Sequence, residues 1–194
     1  MRRGSYITFF FVFLAATFSA NSQDLPGKIR GYSVYKADIT VGQKSSGPGN
    51  TLSDAVVSLA DPSLRDLSPA GATLEVSAEF KATRQSGKVD FLVFHDLRVN
   101  GIPVSVDEYQ NRFEFAKGQT VRLPVPATIF VPTTQILLVA MNEANGSKKL
   151  WTVTGRVFVF GKFRKFGVDH KRVVPIDINF TIANPLQSAA TVEQ

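Results

Sequence analysis

The chain lacks cysteine entirely and has only two histidines, two methionines and one tryptophan in 194 residues. Without cysteine there can be no disulfide, no thiolate nucleophile, no Cys-ligated zinc and no cysteine-linked lipid. Two histidines leave little room for a His-rich metal site or for Ser-His-Asp chemistry. The nucleophile-elbow, phosphate-loop and dinucleotide-binding glycine motifs are also missing. We therefore predict a protein that is not an enzyme and has no cofactor or metal. A hydrolase built from distant serine and acidic residues is an alternative.

The first 22 residues have the pattern of a secretory signal peptide. Arg2–Arg3 precede an apolar run, Ile7–Phe18, which is shorter than the roughly 20 residues needed to cross a bilayer core. Ala20 and Ser22 then supply the small residues expected before a cleavage site at Gln23. We predict cleavage after Ser22, export to the periplasm or the extracellular space, and no transmembrane span after cleavage. An uncleaved N-terminal anchor is the alternative interpretation.

The rest of the chain alternates apolar and polar side chains with a period of two, which is typical of β-strands. The alternation is clearest in Thr73–Ala82 and Val174–Ile182. Val89–Val99 and Trp151–Phe160 are apolar on both faces, as in central strands. Asn100–Gly101 is a strong hairpin signal. We predict an all-β protein, an antiparallel β-sandwich of about seven to nine strands. The predicted core consists of Leu74, Val76, Phe80, Phe91, Val93, Val121, Leu123, Val153, Val157, Ile176, Ile178 and Phe180.

One segment departs from this alternation. In Thr133–Asn145, one helical face holds Leu137, Ala140, Met141 and Ala144. The pair Thr133–Thr134 at its start and Gly146 after it are suitable helix caps. We predict one short helix, with a strand as the alternative.

The composition divides the chain into four segments. We predict a signal peptide over residues 1–22, an N-terminal strand and flexible loop over 23–53, the sandwich domain over 54–183, and a flexible tail over 184–194.

The order of short apolar motifs gives a resemblance to a known family. The motifs are Ala55–Leu59, Leu64–Ser68, Thr73–Phe80, Leu97–Val104, Val121–Val125, the helix, Val153–Val157 and Val174–Ile176. Together they resemble the water stress and hypersensitive response (WHy) domain of type-2 late embryogenesis abundant proteins, over about Asp54 to Ala183. The resemblance implies a sandwich of seven or eight strands with one helix. It also implies a stress-protective or protein-interaction role without catalysis.

The strongest charge feature is the segment Arg156–Arg172, which contains six basic residues and one acidic residue, Asp169. Gly161 and Gly167 predict a long hairpin with phenylalanines among the cations. Clustered cations attract anions, and aromatic rings can bury at an interface. As the alternative to a protective or protein-interaction role, we predict a site for anionic envelope lipid or polysaccharide in this hairpin, and no nucleic acid. Its residues are Lys162, Phe163, Arg164, Lys165, Phe166, Lys171 and Arg172.

The alternative interpretation of this segment is a solvated hairpin tip whose phenylalanines pack down on the sandwich. On that interpretation, the predicted partners are unknown protein clients. The two histidines carry no predicted chemistry. His170 lies among cations that oppose its protonation, and His95 and Asp96 are strand neighbours that should point to opposite faces.

The signal-peptide prediction can be checked directly. Intact-mass and N-terminal peptide mass spectrometry of the protein from its native host should show a chain that begins at Gln23. Recovery of a chain that still carries Arg2 and Arg3 would contradict cleavage.

Overall fold

The computed structural model describes residues 25–43, 53–144 and 149–183, and it is mostly β with one short helix, as the sequence predicts. The predicted signal peptide, most of the loop after β3 and the predicted tail lie outside the described residues. Within them there are fifteen strands and one helix. The strands are β1 Lys28–Ile29, β2 Tyr32–Val34, β3 Ile39–Gln43, β4 Ala55–Leu59, β5 Ser63–Ser68, β6 Gly71–Val76, β7 Ala78–Ala82, β8 Ser86–Val99, β9 Ile102–Pro103, β10 Ser105–Val106, β11 Phe113–Phe115, β12 Thr120–Arg122, β13 Ala127–Pro132, β14 Leu150–Lys165 and β15 Val168–Ala183; the helix α1 is Thr133–Ala144.

The strands form three sheets. The large sheet has the order β1-β2-β15-β14-β8-β11, with β9 also paired to β8. The second sheet has the order β12-β7-β4-β3, and the third β10-β13-β6-β5. Most pairs are antiparallel, as predicted, but β15 with β2 and β3 with β4 are parallel. The N-terminal strands β2 and β3 thus each run parallel to the strand that they extend.

The core lies between the large sheet and the second sheet. Its buried members come from β7, β8, β11, β14 and β15, and Tyr109 joins them. Of the predicted core residues, Val157 and Ile176 belong to this cluster, and Phe80, Val121, Leu123 and Ile178 pack against it. The others are half-buried outside the cluster: Leu74, Val76, Phe91, Val93, Val153 and Phe180.

The prediction that Phe91 and Val93 lie in the core is wrong, because β8 contains a bulge. The register with β14 shifts between Phe160 and Gly161, so that Asp90 is an extra residue on β8. Such an insertion reverses which side chains face the core beyond it. Phe91 therefore pairs with Phe160 on the opposite, outer face of the large sheet.

The expectation that His95 and Asp96 point to opposite faces is wrong, because β8 contains a second bulge. Thr154 pairs with Arg98 and Arg156 with His95, so two residues of β8 lie opposite Gly155 alone. Asp96 takes a positive φ of 48° in this bulge, and its carboxylate lies 3.2 Å from Nδ1 of His95. Strict alternation fails here, and the two side chains do meet. Both are largely exposed, so an ion pair between them contributes little to stability.

The run Thr73–Ala82, predicted as one strand, is two strands in different sheets. β6 belongs to the third sheet and β7 to the second, with Ser77 between them. Their partner strands are divided in the same way, with β5 beside β6 in the third sheet and β4 beside β7 in the second. The chain passes from β4 to β5 next to Ser77, where the Ala60 amide donates to the Ser77 carbonyl over 2.9 Å. A single hairpin therefore bends across both sheets. This bend, together with several two- and three-residue strands, raises the strand count above the predicted seven to nine.

The helix is confirmed at the predicted place. The Thr133 hydroxyl donates to the Pro69 carbonyl at 2.7 Å and ties the helix start to the β5–β6 turn. Leu137 and Met141 are exposed, at 61% and 56%. Across the part of the chain that the structure describes, no helix is long and apolar enough to cross a membrane.

Candidate anion-binding face

The predicted hairpin is formed by β14 and β15, which pair from Leu150–Ala183 to Lys165–Val168 without a register shift. Its two-residue turn is Phe166–Gly167, where φ is 52° and 79°. Positive φ at both positions defines the tight turn whose twist matches that of paired strands. The turn therefore sets which β14 and β15 side chains lie opposite each other.

This register places three lysines side by side on the outer face of the large sheet. Lys162 of β14 lies directly opposite Lys171 of β15 on one side and Lys88 of β8 on the other. Side chains opposite each other on paired strands have Cβ atoms about 4.5–5.5 Å apart. We call Lys88, Lys162 and Lys171 the lysine row. Like charges in this position repel one another, so the row gains most from an anion bound across it.

Only the ends of the lysine row have partners. Lys88 Nζ lies 3.1 Å from the Glu114 carboxylate, and Lys171 Nζ lies 5.5 Å from the ring centroid of Tyr32. Lys162, in the middle, makes no ion pair with any described residue. Its ammonium group is exposed and flanked by two other cations. The positive charge at the centre of the row is therefore not neutralised by an ion pair with a described residue.

Three aromatic rings form a platform beside the lysine row. Phe91 and Phe160 stack with centroids 4.4 Å apart, and Tyr32 meets both edge-on at 5.9 and 5.2 Å. The Tyr32 hydroxyl donates to Asp90 over 3.0 Å. Burial, and then this hydrogen bond, raise the pKa of Tyr32. The Arg30 guanidinium covers Phe91 and Phe160 at 5.6 and 5.9 Å. The platform borders the row on the same face of the sheet.

Toward the hairpin tip, Arg164 continues the basic surface but is already paired. Its Nε lies 2.9 Å from the Asp169 carboxylate. The hydrogen bond from Arg164 lowers the pKa of Asp169, with smaller contributions from Lys162 and His170. Beyond this pair, the ring of Phe166 is 93% exposed, and Lys165 Nζ lies 5.6 Å from its centroid.

Two of the seven predicted site residues do not belong to the exposed surface. Phe163 is only 4% exposed and lies in the core beside Phe115. Arg172 is half-buried, with its guanidinium 4.4 Å from the centroid of Tyr35 and its Nη1 buried without a hydrogen-bond partner among the described residues. Strand alternation explains both, because they point away from the face that holds Lys162 and Lys171.

The structure therefore brings together Lys162, Lys171 and Arg164, with Lys165 and Phe166 at the tip, and adds Lys88 and Tyr32. Lys88 is separated from Lys162 by a long stretch of chain, so no local pattern could reveal it. Tyr32 follows an Arg30–Gly31 turn in which both φ values are positive. A hairpin at the start of the domain could therefore have been predicted from the Arg30–Gly31 dipeptide.

The two best-defined cavities among the described residues are too small for a ligand. One cavity of about 20 Å³ lies between the large and second sheets beside Phe80 and Phe163, and another of about 20 Å³ adjoins Glu79 and Arg122. Each has room for about one water molecule. Among the residues that the structure describes, no three acidic or histidine side chains meet to hold a metal ion. What this region presents is an open surface on which lysine side chains lie close together.

Comparison with known proteins adds little to this description. No model of a protein family matches the chain, and no curated protein matches it. A solved structure described as a crystal structure of a protein from Archaeoglobus fulgidus is similar, with a TM-score of 0.37 and 12% sequence identity, and the match covers 66% of this chain and 97% of that one. A likeness at this level carries no argument about function.

The tip of the hairpin yields a pH-dependent prediction. The lowered pKa of Asp169 means that the Arg164–Asp169 pair persists above the usual aspartate pKa of about 4 and is lost as the pH falls through the lowered value. In Arg164→Gln, the Asp169 pKa should rise toward its usual range, as measured by NMR titration of its carboxyl carbon. Lys162→Gln is the control and should give a smaller rise. Equal shifts in both variants would contradict the assigned cause.

Proposed function

We propose that the protein is a non-catalytic binding module, a β-sandwich whose basic hairpin adsorbs to an anionic surface. The observation that carries the proposal is the cross-strand register that aligns Lys88, Lys162 and Lys171 on one exposed face. Anionic lipid and acidic polysaccharide share the ligand chemistry that such a face would recognise, namely closely spaced negative charges.

The magnitude of the interaction is sufficient for weak adsorption. A cation near an anionic membrane surface contributes about 1 kcal/mol, and this effect fades over a Debye length of roughly 8 Å at physiological salt. Neighbouring strands are about 4.8 Å apart, so the three lysines span only about 10 Å along the sheet and can face one surface together. The ring of Phe166, exposed at the tip, adds apolar contact if the surface is a bilayer.

The compartment is part of the proposal. We propose that the N-terminal segment directs export and that the mature protein acts in the periplasm or outside the cell. There, envelope lipids and polysaccharides are the anionic surfaces that the lysine row would meet.

The proposal predicts salt-dependent binding that requires the lysine row. Wild type should co-sediment with vesicles of phosphatidylglycerol and phosphatidylcholine, and less so at physiological than at low salt. Lys88→Gln/Lys162→Gln/Lys171→Gln should lose most of this binding, because three charges are worth about 3 kcal/mol at the surface. Alginate in place of vesicles distinguishes polysaccharide from lipid binding, and Phe166→Ser should weaken only vesicle binding.

A matched control removes the same charge elsewhere. Lys81, Lys117 and Lys149 are exposed lysines outside the lysine row. Lys81→Gln/Lys117→Gln/Lys149→Gln should keep most of the binding if position matters and lose as much as the row variant if only net charge does. Loss in both variants, or no binding of wild type to either anionic probe at low salt, would refute the proposal.

A second candidate function is the protective role that the WHy resemblance implies. It is supported by the order of elements, because helix α1 lies between the strand at Val121 and the strand at Val153, where the resemblance expects one helix. On this proposal the protein interacts with other proteins under stress and keeps them from aggregating.

The protective role predicts an effect on a client enzyme. Lactate dehydrogenase subjected to freeze–thaw cycles should retain more activity with this protein than with an equal mass of an inert protein such as lysozyme. The row variant Lys88→Gln/Lys162→Gln/Lys171→Gln should protect as well as wild type, because this role does not use the lysine row. Protection no better than that of the inert protein would contradict it.

A further inference from the structure

Strand β5 is an open edge of the third sheet. It pairs with β6 on one side, and no other described strand pairs with it on the other. Five of its six residues are exposed, including Leu64 at 61% and Leu67 at 69%. An edge of this kind offers unpaired backbone groups to another strand, and natural proteins usually block it.

The sequence of β5 is complementary to itself when it is read in the opposite direction. It runs Ser-Leu-Arg-Asp-Leu-Ser from Ser63 to Ser68. A second copy placed antiparallel, with a two-fold axis between Arg65 and Asp66, sets each serine opposite a serine and each leucine opposite a leucine. The same operation sets each Arg65 opposite an Asp66. Charged residues ordinarily block an edge, but here Arg65 of one copy would attract Asp66 of the other across this axis.

The side-chain directions satisfy the same symmetry. A bulge in β5 lies between Leu64 and Asp66. As a result Leu64 pairs with Leu74 and Leu67 with Ala72, so that the two leucines share one face of the sheet although they are three residues apart. A two-fold axis perpendicular to the sheet preserves its faces. Two copies would therefore gather four leucines on one side of the sheet.

The charged residues lie on the other face. Asp66 pairs with Thr73, and the Arg65 guanidinium lies 3.1 Å from the carboxylate of Glu75, which shares the face of Thr73. The hydroxyls of Ser63 and Ser68 bond back to the Glu75 and Gly71 carbonyls at 3.5 and 3.1 Å. The side chains that remain for a partner are the two leucines and Asp66, and Arg65 would meet Asp66 of the second copy by sharing or leaving its pair with Glu75.

We propose that β5 is a homodimer interface, in which a second copy of this chain adds its own β5 antiparallel and joins two four-stranded sheets into one of eight strands. The contact is isologous, since the same patch serves both copies and closes on itself. It does not depend on the lysine row, which lies in the large sheet.

The interface is small. Stable complexes bury about 800 Å² per partner, and a six-residue strand buries less than that. The dimer should therefore be weak and form with rising protein concentration. Charge at its centre should control it strongly, because like charges placed opposite each other repel and oppose pairing.

The test is sedimentation velocity of the full-length product, in the form in which the host leaves it, over a series of concentrations. Wild type should shift from monomer toward dimer. Arg65→Asp alone and Asp66→Arg alone should raise the dimer dissociation constant about tenfold or more, because each places like charges at the axis. A one-to-one mixture of these two variants should dimerise again, as should the exchanged double variant Arg65→Asp/Asp66→Arg.

The restoration experiments keep the proposal falsifiable, because a variant that fails to fold cannot be rescued by a partner with the opposite charge. Lys117→Asp carries the same change of charge as Arg65→Asp in the turn after β11 and should leave the dimer intact. A wild type that stays monomeric at every concentration would overturn the proposal. So would single variants that dimerise like wild type, or a mixture that stays monomeric.

Discussion

The pairing of β8, β14 and β15 is the interaction on which the rest of the structure depends. These strands, of 14, 16 and 16 residues, form the centre of the large sheet. One of their faces supplies most of the core, and the other carries the aromatic platform and the lysine row. A slip of one residue would exchange these faces and bury the lysines. The tight Phe166–Gly167 turn and the two bulges of β8 hold the register against such a slip.

Glycine makes the bulges possible. A side chain at Gly161 would collide with the Lys88 carbonyl, and one at Gly155 would collide with Leu97. The strands can approach closely only because neither residue has a Cβ. The close approach at Gly161 also lies next to Lys162. The same packing constraint that shapes the sheet therefore positions the middle of the lysine row.

The two surfaces that we assign roles lie in different sheets. The lysine row belongs to the large sheet, and β5 is the edge of the third sheet, which is joined to the second by the bend at Ser77. Repulsion within the lysine row is tolerated because Phe163 and Val173, buried beside it, anchor the same strands. The symmetric charges of β5 carry no such cost in the monomer, since Arg65 is paired with Glu75. Either surface can therefore be altered without disturbing the other.

The sequence by itself determined the strand-rich class, the central strands, the single helix and the Asn100–Gly101 turn. Each of these depends on the local geometry of the backbone, which side-chain periodicity and glycine report directly. It also determined that the basic segment forms a hairpin, but not which of its side chains are exposed. Only the tertiary structure decided that Lys88 joins Lys162, that Phe163 is buried, and that Asp96 turns toward His95. Those outcomes depend on bulges and on register between strands far apart in the chain, where the partner strand rather than local alternation sets the direction of a side chain.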